Sequence, residues 1–174
     1  MRFSNLNTKG RLELRLYDAS GRVDPTAATR LDELLGDVRD PHHVAIKALD
    51  RRLLQLVYRA AYHFRRTRIE VISAYRQPLS RGRHGLHAAG KAIDFKLDGV
   101  PATALASYLR TLPRVGVGVY THPRTQYVHL DVRKPSFYWI DASPPNRKWR
   151  ELPIRDSRIA ARDAAYTTSS DLPE

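Results

Sequence analysis

Leu12, Leu14 and Leu16 alternate with Arg11, Glu13, Arg15 and Tyr17, the two-residue period of a half-buried strand, and Asp18-Ala19-Ser20-Gly21 supplies a turn after it. The period then lengthens. Asp24-Pro25 opens a helix in which Asp24 is the cap and Pro25 suits the first position, and Leu31, Leu34 and Leu35 line its apolar face before Gly36. Residues 37–48 read as loop. A second helix over about 50–64 is the best patterned, with Leu53, Leu54, Val57, Ala60, Ala61 and Phe64 at helical spacing.

Residues 68–74 return to strand pattern, with Ile69 and Val71 on one side and Glu70 and Ile72 on the other. The polar, Gly- and Arg-rich stretch 75–90 is a long loop. In 91–97, Ile93, Phe95 and Leu97 face one way while Ala92, Asp94 and Lys96 face the other. Leu105, Tyr108, Leu109 and Leu112 predict a third helix over 101–112. Residues 115–120 and 127–132 then form a hairpin around Thr121-His122-Pro123-Arg124. The run Phe137-Tyr138-Trp139-Ile140 reads first as core, with Tyr138 or Trp139 bordering a groove as the alternative. This order of elements argues for one α+β domain, residues 1–143, with helices packed against a single antiparallel sheet. Residues 144–174 are polar and basic, and are expected to form a peripheral or partly disordered tail.

Composition sharpens this in two ways. A chain of 174 residues encloses a hydrophobic core without staples, so a metal bound here has work other than folding. With no cysteine, disulfide frameworks, Cys-rich zinc fingers, thiol nucleophiles and iron–sulfur clusters are all excluded. Thirty Lys and Arg against 18 Asp and Glu give a formal charge of +12, which predicts attraction to polyanions such as nucleic acid, anionic lipid or acidic wall polymers. Nucleic acid is the weakest of these, because the arginines are spread along the chain with no helix-turn-helix or aromatic RNA-binding motif. No run approaches the ~20 apolar residues of a membrane span, and the N-terminus lacks the apolar stretch of an export signal.

The chemistry concentrates on the polar face of 91–97. A carboxylate there, Asp94, is enclosed by its neighbours and needs a partner: an arginine, or a metal. His87 lies seven residues before it, and His129 lies on a later strand with Tyr127 and Asp131 on its face. Two histidines and a carboxylate suffice for a catalytic zinc with one position left for water. His84 is a rival ligand three residues from His87, whereas His42, His43 and His63 read as surface or structural residues. Spacing alone leaves the choice open.

Ser73-Ala74-Tyr75-Arg76, His87-Ala88-Ala89-Gly90-Lys91-Ala92-Ile93-Asp94-Phe95, Val115 to Tyr120 and Tyr127-Val128-His129-Leu130-Asp131-Val132 together resemble the YcbK-like branch of the zinc D-Ala-D-Ala-type peptidases over about residues 69–140. The resemblance implies a Hedgehog/DD-peptidase-type fold, zinc held by His87, Asp94 and His129, and the stem peptides of bacterial peptidoglycan as substrate, hence a periplasmic or extracellular site of action. It also implies that Arg76 lies over the metal, where a fixed cation stabilises an oxyanion or binds a substrate carboxylate. Gly90 and Ala92 are expected to leave room for metal and substrate. Dipeptidases of the resembled group carry an acidic base three residues before the last ligand, and here that residue is Gln126. An amide takes up no proton, so the candidates for the base become Asp131 and His122, with Asp131 equally suited to orienting a ligand imidazole. The expected activity is therefore endopeptidase cleavage of cross-links, and the alternative is a non-catalytic, zinc-containing wall-binding module.

Overall fold

The computed structural model describes residues 1–37, 47–77, 85–145, 147 and 150–171. Strands β1 (Arg2–Asn5), β2 (Arg11–Glu13), β3 (Arg68–Ser73), β4 (Ala92–Leu97), β5 (Val115–Tyr120), β6 (Tyr127–Val132), β7 (Phe137–Asp141) and β8 (Leu152–Ile154) join in one sheet of order β2-β1-β3-β4-β6-β5-β7-β8. Helices α1 (Pro25–Leu34), α2 (Arg51–His63), α3 (Ala102–Leu109) and α4 (Ile159–Ala164) complete an α+β architecture.

The helices begin where the sequence provides acceptors for their free N–H groups. Asp24 accepts from the backbone of Thr26 and Ala27, and Asp50 does the same for Arg52 and Leu53. Strand alternation then decides the core. Ile93, Phe95, Val115, Val117, Val119, Val128 and Leu130 all point to the face covered by α2 and α3, where Leu53, Leu56, Val57, Leu105 and Leu109 meet them. Burying each large aliphatic side chain contributes roughly 1.5–3 kcal/mol, so this face holds the domain together and leaves the other free for chemistry.

The sheet is mixed, which corrects the expectation of a purely antiparallel one. β5 pairs in parallel with β7, and β1 in parallel with β3. In the first case the β5–β6 hairpin forms as its sequence predicts, but the chain reverses once more after β6 and adds to the outer edge of β5, so that β7 runs in the direction of β5. In the second, β1 precedes α1 and α2 and is joined to β3 only across both helices. β1 carries just two buried side chains, Phe3 and Asn5, too short a signal for periodicity.

Described residues after 143 make defined contacts with the rest of the domain. β8 pairs antiparallel with β7, and buried Asp163 of α4 accepts from the backbone N–H groups of Arg114 (2.6 Å) and Ser136 (2.7 Å) and from the Ser136 hydroxyl (2.6 Å). Asp171 takes the Arg52 guanidinium at 2.8 Å, and Tyr166 is stacked by Arg52 and Arg114. Buried carboxylates make most of these contacts, with Ile154 and Ile159 packed against the core. No helix among the described residues is long and apolar enough to cross a membrane.

Candidate metal centre

The face of the sheet away from α2 and α3 is built in rows. Asp94 of β4 stands opposite His129 of β6, His129 opposite Gly118 of β5, and Gly118 opposite Trp139 of β7. β5 reads Val-Gly-Val-Gly-Val, so its valines enter the core and its glycines fall on this other face. A Cβ on Gly118 would lie 2.3–2.5 Å from the Trp139 indole, and one on Gly116 would lie 2.2 Å from Asp131 Oδ2. Glycine at these positions is what lets the indole lie across β5 to within 5.1 Å of the His129 ring, centroid to centroid.

His87 arrives from the turn that precedes β4. Gly90 turns that segment with φ +70°, and a Cβ there would sit 2.7 Å from the Ala48 carbonyl oxygen. The expectation that Gly90 makes room for the metal is thus corrected: it makes room for the neighbouring backbone, while Ala92 is enclosed beside β6. A shift of register between Val71 and Ser73 ends regular pairing of β3 with β4 beside the site. The next carbonyl, that of Ala74, then accepts from His87 Nδ1 at 2.6 Å. This fixes the tautomer, leaving His87 Nε2 to face inward.

Donor atoms of three residues converge there. His87 Nε2 lies 3.3 Å from His129 Nδ1 and 3.4 Å from Asp94 Oδ2, and His129 Nδ1 lies 2.8 Å from Asp94 Oδ1. A tetrahedral ion with bonds of about 2.0–2.2 Å separates its ligand atoms by roughly 3.3–3.5 Å. The two separations from His87 match that spacing, whereas the His129–Asp94 contact, made through the other carboxylate oxygen, is a hydrogen bond that a bound metal would replace. Two neutral imidazoles and one carboxylate, all largely buried, are a donor set suited to a divalent metal.

His129 is held from behind. Its Nε2 donates to Asp131 Oδ2 at 2.9 Å, and Arg133 binds both oxygens of Asp131, with Nε at 2.6 Å from Oδ1. Because His129, Asp131 and Arg133 follow strand alternation, they form a line Arg133–Asp131–His129 ending at the metal position. Burial would lower the His129 pKa, but the bonds to Asp131 and Asp94 outweigh it and raise it to about 9 in the metal-free protein. Burial would likewise raise Asp94 and Asp131. The His129 and His87 bonds hold Asp94 well below the usual carboxylate range, and Arg133 with His129 lowers Asp131.

A cleft of about 490 Å³ opens over this group, lined by Arg76, Asp94, Tyr120, Tyr127, Trp139 and Glu151 among others. Arg76 lines it, with Nη2 3.7 Å from Asp94 Oδ2 and, among the described residues, no bidentate bond to a carboxylate. The base expected of Asp131 or His122 finds no geometric support. Asp131 is fully buried on the far side of His129 with both oxygens engaged, and His122 sits in the β5–β6 turn, where its Nδ1 accepts from the Arg124 N–H. Neither lines the cleft. Gln126 faces elsewhere too, beside Glu70 and Lys96. His63 stacks on Tyr108 away from the site, whereas His42, His43 and His84 lie outside the described residues.

Sequence reasoning placed Tyr127 on the face of His129 but missed Arg133, Tyr120 and Glu151. Alternation from His129 reaches Arg133 and so carried a usable signal; the stacked Tyr120 and Tyr127 rings required the hairpin register, and Glu151 required β8. Of the two aromatics weighed for the groove, Trp139 lines it and Tyr138 is core.

The profile of the peptidoglycan L,D-endopeptidase MepK family matches residues 1–137. The probable peptidoglycan L,D-endopeptidase MepK of Haemophilus influenzae is 33% identical over 141 residues, covering 74% of this chain and 73% of its own. Peptidoglycan L,D-endopeptidase MepK of Escherichia coli K12 is 27% identical over 147 residues, covering 78% and 77%. No solved structure matches. The match spans β1 to the start of β7 and includes every residue of the His–Asp–His triangle, and on this ground the chain belongs to the peptidoglycan L,D-endopeptidase MepK family.

Proposed function

We propose that this chain is a zinc-dependent endopeptidase that hydrolyses peptide cross-links of bacterial peptidoglycan, with His87, Asp94 and His129 as the zinc ligands. The observation that carries the reading is the spacing of the donor triangle at the floor of an open cleft. Zinc supplies Lewis-acid activation of water and of the scissile carbonyl when bound by such a set. The chain's own residues do the rest. Ala74 and Asp131 orient the two imidazoles, so that each offers one defined nitrogen. Arg76 brings a fixed positive charge to the cleft beside Asp94, where it stabilises the oxyanion as the carbonyl is attacked. Trp139, Tyr120 and Tyr127 wall the cleft and limit water around the reacting bond.

Of the two cross-links open to such an enzyme, the D-Ala link joins two D-centres. The direct link between two diaminopimelates joins the carbonyl of an L-centre to the amine of a D-centre. The names of the relatives specify an L,D bond, and we read the direct diaminopimelate link as the substrate here. Action is then periplasmic or extracellular, where peptidoglycan lies. We read residues 1–143 as the peptidase unit with a Hedgehog/DD-peptidase-type fold, and 144–174 as an addition to it.

The test is a digest of purified sacculi by zinc-loaded protein. New amino groups appear if it is a hydrolase; binding to sacculi without their release identifies the wall-binding alternative.

A further inference from the structure

Glu151 lines the metal cleft, yet it lies beyond residues 1–137, the part of the chain matched by the family profile. Its place is built. Buried Asp141 at the end of β7 accepts from the backbone N–H of Ser143 at 2.6 Å and of Arg150 at 3.0 Å, clasping both ends of the β7–β8 connection. Pairing of Ile140 with Leu152 then continues the ladder, which brings residue 151 alongside Asp141 at the cleft margin. The Glu151 carboxylate makes no hydrogen bond or salt bridge among the described residues. Among the described residues, Asp94 is the only other carboxylate lining the cleft, and it belongs to the candidate metal group.

The distance from the metal decides what such a group does. Three strand spacings, β6 to β5 to β7 to β8, together with two residues along the strand, since Glu151 continues the row of Tyr127, Tyr120 and Asp141, put about 16 Å between the backbones of His129 and Glu151. An extended glutamate side chain recovers about 5 Å of this, leaving on the order of 10 Å between its carboxylate and the metal end. That is too far for direct proton transfer to a water at the metal. It suits a fixed part of a substrate. In the donor half of a direct diaminopimelate link, six bonds separate the scissile carbonyl carbon from the free amino group on the D-centre, about 7.5 Å when extended. An N–H···O bond of about 2.8 Å completes the span to Glu151.

We propose that Glu151 binds the free ammonium on the D-centre of the donor diaminopimelate, making it a specificity-determining residue supplied by the C-terminal addition. The inference rests on the substrate read above, and it explains why an unpaired anion stands in a cleft of a strongly basic chain. A charge-assisted bond at the cleft margin is worth about a tenfold change in affinity.

The test uses zinc-loaded protein and two probes, the tripeptide L-Ala-γ-D-Glu-meso-diaminopimelate and the same peptide acetylated on the D-centre amine. By calorimetry the wild type is expected to bind the free-amine peptide about tenfold more tightly than the acetylated one. Glu151→Gln abolishes that difference with zinc content and thermal midpoint unchanged, since the side chain is exposed. On a cross-linked dimer the same variant raises KM about tenfold and leaves kcat in place. Equal binding of both peptides by the wild type, failure to bind the free-amine peptide, or discrimination that survives Glu151→Gln overturns the proposal. A fall in kcat with KM unchanged also overturns it and assigns Glu151 to the chemical step. A wild type that discriminates between the peptides but cuts no cross-link keeps this inference and refutes the hydrolase reading.

Discussion

At the β4–β6 end of the cleft, the candidate ligands are largely buried and held by defined bonds: His87 to Ala74, His129 to Asp94 and Asp131, Asp131 to Arg133. At the β7–β8 end, the margin is exposed and carries a carboxylate without a bonded partner among the described residues, placed through its backbone. The first arrangement fixes atoms to within a few tenths of an ångström, as metal binding requires. The second leaves a charged group free to meet something that arrives. Chemistry and selection are thus separated along one cleft, and substitutions at the two ends should fail in different ways.

The largest effect is expected at the metal end. His129→Ala removes one of the three proposed ligands and leaves Asp94 and Asp131 without their shared partner, so loss of bound zinc and a fall in sacculus cleavage of at least ~10³-fold are expected. Metal analysis alongside the digest checks both. Asp131→Asn should weaken zinc about 10- to 100-fold, measured by competition with a chelator, while cleavage at saturating zinc largely persists. If cleavage vanished with zinc retained, Asp131 would be the proton acceptor after all and the line from Arg133 to the metal would lose its meaning.

Gly118→Ala probes how the two ends are joined. The new Cβ meets the Trp139 ring at 2.3–2.5 Å, so the indole must move; a loss of roughly 1–3 kcal/mol in denaturant unfolding is expected. Arg76→Lys keeps the charge but replaces a planar fork by a point, and should cut turnover about tenfold with zinc unchanged. Full activity would remove Arg76 from the chemistry.

The smallest effect is on the metal-stripped protein. Its His129 pKa is raised from 6.5 to about 9, so the folded state holds that proton more tightly than the unfolded one. The resulting stability is fully present below pH 6.5 and disappears as pH rises through about 9. A thermal midpoint that falls over this window for stripped protein and stays level once zinc has displaced the proton is the expected pattern.

The same contrast explains how much was legible in the sequence. Alternation puts Asp94 and His129 on the face opposite Ile93 and Leu130, but spacing left His84 and His87 as rivals, and only the resemblance to the peptidase motif singled out His87. The glycines of β5 were visible as well, but their purpose depends on β7 lying in parallel alongside, a pairing that no local period encodes. Asp131 was weighed equally as base and as orienting group, since alternation assigns a face and not which imidazole nitrogen a carboxylate meets. The C-terminal segment was the least legible part. Asp163 and Asp171 anchor it, and a polar residue that ends up buried gives the same sequence signal as one that stays in water.

The most direct test of the central claim is mass spectrometry of the peptides released from sacculi rich in direct diaminopimelate links, digested by the zinc-loaded protein. The account predicts that dimers joined by this link are converted to monomers, that D-Ala-linked dimers remain, and that chelation stops the conversion until zinc is restored. Persistence of the direct-linked dimers with zinc bound, or their loss at the same rate after chelation, would contradict it.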